Sequence, residues 1–217
     1  MMFDEIAVFD STKATDPRVL RTKQSLYKSL CSLLKKKPLS EITISEITDK
    51  AKINRSTFYL HYTNLFDLQN EIEKNLFQIY KNSLDDYLAS LNTQASSTAN
   101  EEFGNFKTSD LTPEINLYEN TFSFLQKYKQ YTPILLVESP TNKLLENIIA
   151  LGSEIHFSKW KSSISTIDSS YFKYSYPYIV SGLIAVFKLW LSDGMKESPK
   201  QMAELAVELT LKNLQGY

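Results

Sequence analysis

Eight consecutive residues, Arg55-Ser56-Thr57-Phe58-Tyr59-Leu60-His61-Tyr62, combine hydroxyls, aromatic rings, an imidazole and a cation at helical spacing. On a helix turning about 100° per residue, Phe58 and Tyr62 share a side with Arg55, and the two aromatics anchor inward. Ser56, Thr57 and Leu60 then point the opposite way, with Tyr59 and His61 on the flanks. A buried helix would not present Ser, Thr and His in this way, and a solvated one would favour Lys and Glu. Short hydroxyl side chains flanked by longer hydrogen-bonding ones suit a helix laid in the major groove of DNA. Its centre would read base edges, with Leu60 against a thymine methyl, and its flanks would touch phosphates. The alternative is a solvated surface helix carrying a stray aromatic.

Catalytic chemistry finds no comparable constellation. The five glycines (Gly104, Gly152, Gly182, Gly194, Gly216) are scattered, which excludes a P-loop and a dinucleotide fingerprint. His61 and His156 lie far apart without acidic companions at metal-ligand spacing, so no metal is expected. Asp85 and Asp86 are adjacent and, on a helix, do not face each other. Cys31 sits in an amphipathic pattern and reads as a small core residue. The expectation is a protein that is not an enzyme and needs no cofactor.

The groove-facing row needs a support. Thr43 and Glu46 have capping-box spacing, so a helix should begin at Ile44, with Ile44, Ile47 and Ala51 as its apolar stripe. Lys52-Ile53-Asn54 is then a turn, and Asn54 an N-cap for a second helix over Arg55 to Tyr62. Upstream, Asp16-Pro17 fits an N-cap followed by Pro at the first helical position. A helix from Arg18 to about Lys36 follows, with Leu26, Leu30, Leu33 and Leu34 inside, and Pro38 ends it. Lys35-Lys36-Lys37 would complement its dipole. Residues 1 to 15 read as a mobile arm.

Three runs, Thr43-Ile44-Ser45-Glu46-Ile47, Ala51-Lys52-Ile53-Asn54 and Thr57-Phe58-Tyr59-Leu60-His61-Tyr62, resemble the N-terminal domain of TetR-type (tetracycline-repressor family) transcription regulators. The resemblance covers roughly residues 16 to 70, and it implies that the first helix brings Arg18 to a phosphate. The DNA-binding set is then Arg18, Thr43, Arg55, Ser56, Thr57, Tyr59, Leu60 and His61, with Arg18, Thr43, Tyr59 and His61 on phosphates. Where the family commonly has a phosphate-contacting Lys at the start of the next helix, this chain has Leu65.

Charge agrees with a nucleic-acid end. Residues 13 to 62 carry a net +7 while the whole 217-residue chain carries −1, leaving −8 elsewhere. No apolar run approaches the ~18 residues that span a bilayer, and the acidic N-terminus lacks a signal-peptide core. A single cysteine excludes an internal disulfide. A cytoplasmic protein without membrane contact is expected.

Beyond the first module, a long helix should run from Leu65, capped by Asn64, to about Leu91, with Leu68, Ile72, Leu76, Ile79 and Leu84 on one side. Residues 92 to 112 are Ser-, Thr- and Asn-rich and read as a polar loop. Helical patterns follow over Pro113 to Tyr131, Asn142 to Ile164 and Tyr171 to Leu191, the last stopping at Gly194. Ser198-Pro199-Lys200-Gln201 is a second capping box, opening a last helix to about Leu214. From Ile179 to Leu191 the chain is apolar nearly all round, which requires burial on two sides, one against a second subunit. Ile179, Leu183, Val186, Trp190, Leu205 and Leu209 are the expected dimer interface. Trp190-Leu191-Ser192-Asp193-Gly194-Met195 also resembles a W-L-x-x-G segment of some TetR-type C-terminal domains. That resemblance implies an effector cavity, for which Tyr118, Phe122, Tyr128, Trp160 and Tyr178 are candidates.

The expected architecture is all-α. A three-helix helix-turn-helix domain (16 to 62) precedes a larger helical effector and dimerisation domain (63 to 217). The expected function is a homodimeric, sequence-specific regulator of transcription. It would bind near-palindromic double-stranded DNA, most simply as a repressor released by a small hydrophobic effector. The competing reading is a TetR-fold co-activator or protein-interaction module with weak DNA binding, for which Leu60 and Leu65 are the motivating residues.

Overall fold

The computed structural model describes residues 16–97, 112–137, 143–163 and 169–214, and every described segment of regular structure is helical. In chain order these are α1 (Pro17–Leu34), a 3₁₀ turn (Leu39–Glu41), α2 (Ile44–Ala51), α3 (Arg55–Tyr59) and α4 (Leu65–Ser97). Then come α5 (Thr112–Lys127), a second 3₁₀ turn (Lys129–Tyr131), α6 (Thr132–Leu135), α7 (Leu144–Ser163), α8 (Ser169–Ser192) and α9 (Pro199–Leu214).

Two compact units share the chain. One runs to Asn82 and takes in Tyr128–Leu144; the other holds Ser83–Lys127 and Leu145 onward. The division between these units falls inside α4, whose Leu68, Ile72, Leu76 and Tyr80 are buried in the first unit.

The first unit is built on local signals. Asp16 caps α1 by accepting from Arg18 N at 2.8 Å, with Pro17 in the first turn. Leu26, Tyr27, Leu30 and Cys31 are buried, whereas Leu33 and Leu34 are only half-buried. α1 stops at Leu34, short of Pro38, so the three lysines lie beyond its last turn. Lys37 has a different partner from the helix dipole: it donates to Glu41 O at 2.8 Å and to Glu46 Oε1 at 2.7 Å. Thr43 and Glu46 form the expected capping box at the start of α2. α2 ends on Lys52, whose φ of 57° is left-handed, and Ile53 N returns to Thr48 O at 3.0 Å. α4 is longer than expected: residues 92–97 continue the helix, and the rest of the expected loop, to 111, lies outside the described residues.

In the second unit α5 packs mainly on α9, which also meets α8. Phe122 of α5 stacks on Phe187 of α8 with centroids 4.0 Å apart, and Trp190 meets Phe122 edge-on at 5.1 Å. The Trp190 indole donates to Glu197 O at 3.1 Å, so its buried polar atom is satisfied. Gly194, at φ 85°, ends α8 with Met195 N on Trp190 O at 2.8 Å, and Ser198 with Gln201 caps α9.

α8 corrects two expectations. Its segment Lys173–Ser192, with mean hydropathy 1.2, is long and apolar enough by length and composition to cross a membrane, although no such stretch was expected. Its inner side is spent on the core, where Ile179, Leu183, Phe187, Trp190 and Leu191 are buried. Ile179, Leu183 and Trp190 are therefore occupied within their own chain and leave little area for a partner. The open side instead carries Tyr174, Tyr178 and Leu189, exposed by 63% or more.

Candidate nucleic-acid interface

α3 is shorter than its pattern. Leu60 N still bonds Ser56 O at 3.2 Å, but His61 N and Tyr62 N both bond Phe58 O at 3.0 Å, which closes the helix into a turn after Tyr59. Asn54 stands at the N-cap with extended backbone, yet its side chain makes no cap bond; its carbonyl accepts from Thr57 N and Phe58 N. Phe58 is fully buried and Tyr62 nearly so, and their rings lie 5.6 Å apart. These two hold the element inward, as the pattern required.

The outward surface follows from that anchoring. Arg55 and Ser56 are exposed, Thr57 is partly covered, and Tyr59 and Leu60 are exposed by 52% and 80%. An apolar side chain as open as Leu60, between Ser56 and Tyr59, gives a mixed surface that offers hydroxyls and a methyl-sized contact together. His61 is half-buried against the Tyr62 ring, 6.2 Å away. Burial first, then nearby Lys23, holds its imidazole below the usual range, while Glu71 opposes the shift. It is neutral at pH 7 and donates one N–H rather than a full charge.

Arg18 is exposed at the start of α1, as is Arg21 one turn on. Thr43 is exposed, but its groups are already engaged. Its N–H and hydroxyl both donate to Glu46 Oε2 at 2.9 Å, and its oxygen accepts from Glu46 N at 3.2 Å. A phosphate can use Thr43 as a donor only by displacing Glu46. That carboxylate is held at a pKa of about 2, first by Lys37 and then by Thr43, so it competes as a full anion. Leu65 is buried at 8% exposure and plugs α4 into the core, with Phe66 beside it in solvent. Asn64 caps that helix through Asp67 N at 2.9 Å.

The effector candidates are divided between the two units. Tyr118 and Phe122 are buried core of the second unit, Phe122 in the aromatic stack, while Tyr128 is buried in the first unit. Tyr178 is 65% exposed, and the Trp160 side chain lies outside the described residues. A cleft of about 430 Å³, not expected from the residue pattern, opens in the first unit among His61, Tyr62, Asp67, Asn70, Glu71, Lys74 and Asn75. Its lining is polar rather than apolar. Among the described residues, no three His, Cys, Asp or Glu side chains group as metal ligands do.

Residues 115–212 match a family model of the TetR type, described as a transcriptional regulator C-terminal region. A curated relative, the uncharacterised HTH-type transcriptional regulator YxbF of Bacillus subtilis (strain 168), is 40% identical over 72 residues. The match covers 32% of this chain and 19% of that protein, so the chain spans about a fifth of the relative's length. Over its C-terminal region the chain is thus similar to TetR-type transcriptional regulators. A solved structure, that of the dihydroxyacetone kinase operon activator DhaS, has the same fold as this chain. The TM-score is 0.51 at 18% identity, over 89% of this chain and 96% of that one.

Proposed function

We propose that this chain is a TetR-type regulator that binds near-palindromic duplex DNA as a homodimer in the cytoplasm, with α3 in the major groove, and represses until a small hydrophobic effector releases it. The observation that carries the reading is the surface of α3. Ser56, Tyr59 and Leu60 stand open on an element pinned from behind by Phe58 and Tyr62, with Arg55 exposed at its start and Arg18 and Arg21 exposed on α1. Base edges would be met by Ser56, Thr57 and Leu60, and phosphates by Arg18, Tyr59 and His61.

Assembly is supported by the open side of α8 together with α9. Tyr174, Tyr178 and Leu189 on α8, and Leu205 and Leu209 on α9, expose apolar area that a monomer would leave in water, with Val186 partly open beside them. Gly182 lies in the same stripe, and a Cβ there would meet nothing within 4 Å. Among the described residues its small size relieves no contact, and it leaves room for a second helix.

Selection of bound sequences from random duplexes, with mass measured in solution, tests both parts. Recovery of a palindromic site by a dimer is expected; no enrichment together with a monomer would refute the reading. The exposed pair Leu60 and Phe66 favours a second reading, a TetR-fold module that docks on another protein. Since DhaS is named an activator, the sign of regulation is a separate question, tested by transcription from the selected site with and without protein.

A further inference from the structure

Three side chains from two parts of the first unit meet at the carboxylate of Glu71. Glu71, in the second turn of α4, accepts from Tyr62 Oη through Oε1 at 2.7 Å, and Tyr27 of α1 donates to the same oxygen. Its Oε2 accepts from Lys23 Nζ of α1 at 3.0 Å. Tyr27 and Tyr62 are 0% and 4% exposed. The Glu71 side chain keeps only 20% of its exposure, and three donors replace the hydration it has lost. Burial above all, then Tyr62 and Glu71, raises the Tyr27 phenol far above its ordinary range, so that hydroxyl remains a donor at every accessible pH.

The placement matters because α3 is only five residues long. A helix of that length has no stability of its own, so its direction is set by its anchors. Phe58 anchors the middle by apolar burial, which carries no directional preference. The Tyr62 hydroxyl anchors the end by a hydrogen bond, which does. The polar cleft beside Glu71 leaves the cluster next to water, so a variant lacking the carboxylate can rehydrate the site instead of unfolding.

We propose that Glu71 is a positioning residue that clamps Tyr62 against α1 and so fixes the direction in which α3 presents Ser56, Tyr59 and Leu60. The proposal rests on the DNA-reading role of α3, and the experiment separates the two. Full-length wild type, Glu71→Gln, Tyr62→Phe and the double variant are compared by hydrogen exchange and by affinity for the selected operator against a scrambled duplex. With each protein still folded by its thermal melt, amides of residues 57–62 should exchange on the order of tenfold faster in either single variant. Those of α2 should be unchanged. The operator-to-scrambled ratio should fall by a similar factor, and the double variant should be no worse than either single one. Unchanged exchange over residues 57–62, or additive losses in the double variant, would overturn the clamp. Faster exchange there in a protein whose wild type prefers no sequence would support the clamp while refuting DNA reading. If Glu71→Gln does not fold, Tyr62→Phe alone decides by the same exchange criterion.

Discussion

Leu60 offers the sharpest test of the proposal that α3 reads DNA. It is 80% exposed, so Leu60→Ala should change folding stability by less than about 0.5 kcal/mol. In the proposed complex its side chain covers a thymine methyl. Burying one such group is worth about 0.8 kcal/mol, hence about 1.6 kcal/mol over the two halves of a palindrome. That corresponds to roughly 15-fold in affinity. Replacing the contacted thymines by deoxyuridine deletes only the methyls, so it should cost the wild-type protein that factor and cost Leu60→Ala almost nothing. Fluorescence anisotropy at fixed salt, with the selected operator and its deoxyuridine analogue, measures all four affinities. An equal deoxyuridine penalty in both proteins would show that Leu60 does not meet the methyl, whatever Leu60→Ala does to total affinity.

Three further outcomes are expected. The His61 imidazole is held low by burial and Lys23, and a neighbouring phosphate would raise its pKa in the complex. Operator affinity should therefore rise as pH falls from 7 through that raised value, level off below the free protein's lower one, and lose this pH dependence in His61→Gln; a flat wild-type profile would remove His61 from the phosphate set. Phe187→Ala, which deletes a fully buried ring stacked on Phe122, should cost about 3–5 kcal/mol, read from the shift of the urea midpoint. Lys52→Gly relieves a left-handed backbone worth about 1–2 kcal/mol but loosens the unfolded chain by about 0.5–1 kcal/mol, so thermal melts should show a net gain of at most about 1.5 kcal/mol.

Helix starts were legible because they are local. Asp16-Pro17, Thr43 with Glu46, Asn64 and Ser198 with Gln201 each act within a few residues, and all are found in place. Helix ends were less so. Polar composition after Leu91 suggested a loop, but no Gly or Pro interrupts 65–97, and extending an existing helix costs little whatever its polarity. The reading helix was drawn too long because periodicity does not distinguish a helix from the turn that closes it, and here Phe58 O takes two amides. Burial in α8 was assigned by hydrophobicity alone, which cannot say which apolar side faces its own core. Glu71 was missed although a signal existed: it lies between Leu68, Ile72 and Asn75 on the inward side of α4, and a charge there requires partners. Those partners come from 44 and 9 residues upstream, beyond any local pattern.

The buried Leu65 changes how the protein would search for its site. A lysine at that position gives up one counterion per subunit to DNA of any sequence, steepening the salt dependence by about 0.9 per contact. Leucine buried in the core contributes to folding instead and leaves random DNA less adhesive. Across a fourfold change in salt, a dimer without the two contacts would vary by about 12-fold less in affinity than one with them. Its occupancy would then be governed less by the ionic state of the cell and by competing genomic sequence, and more by how well α3 matches its bases.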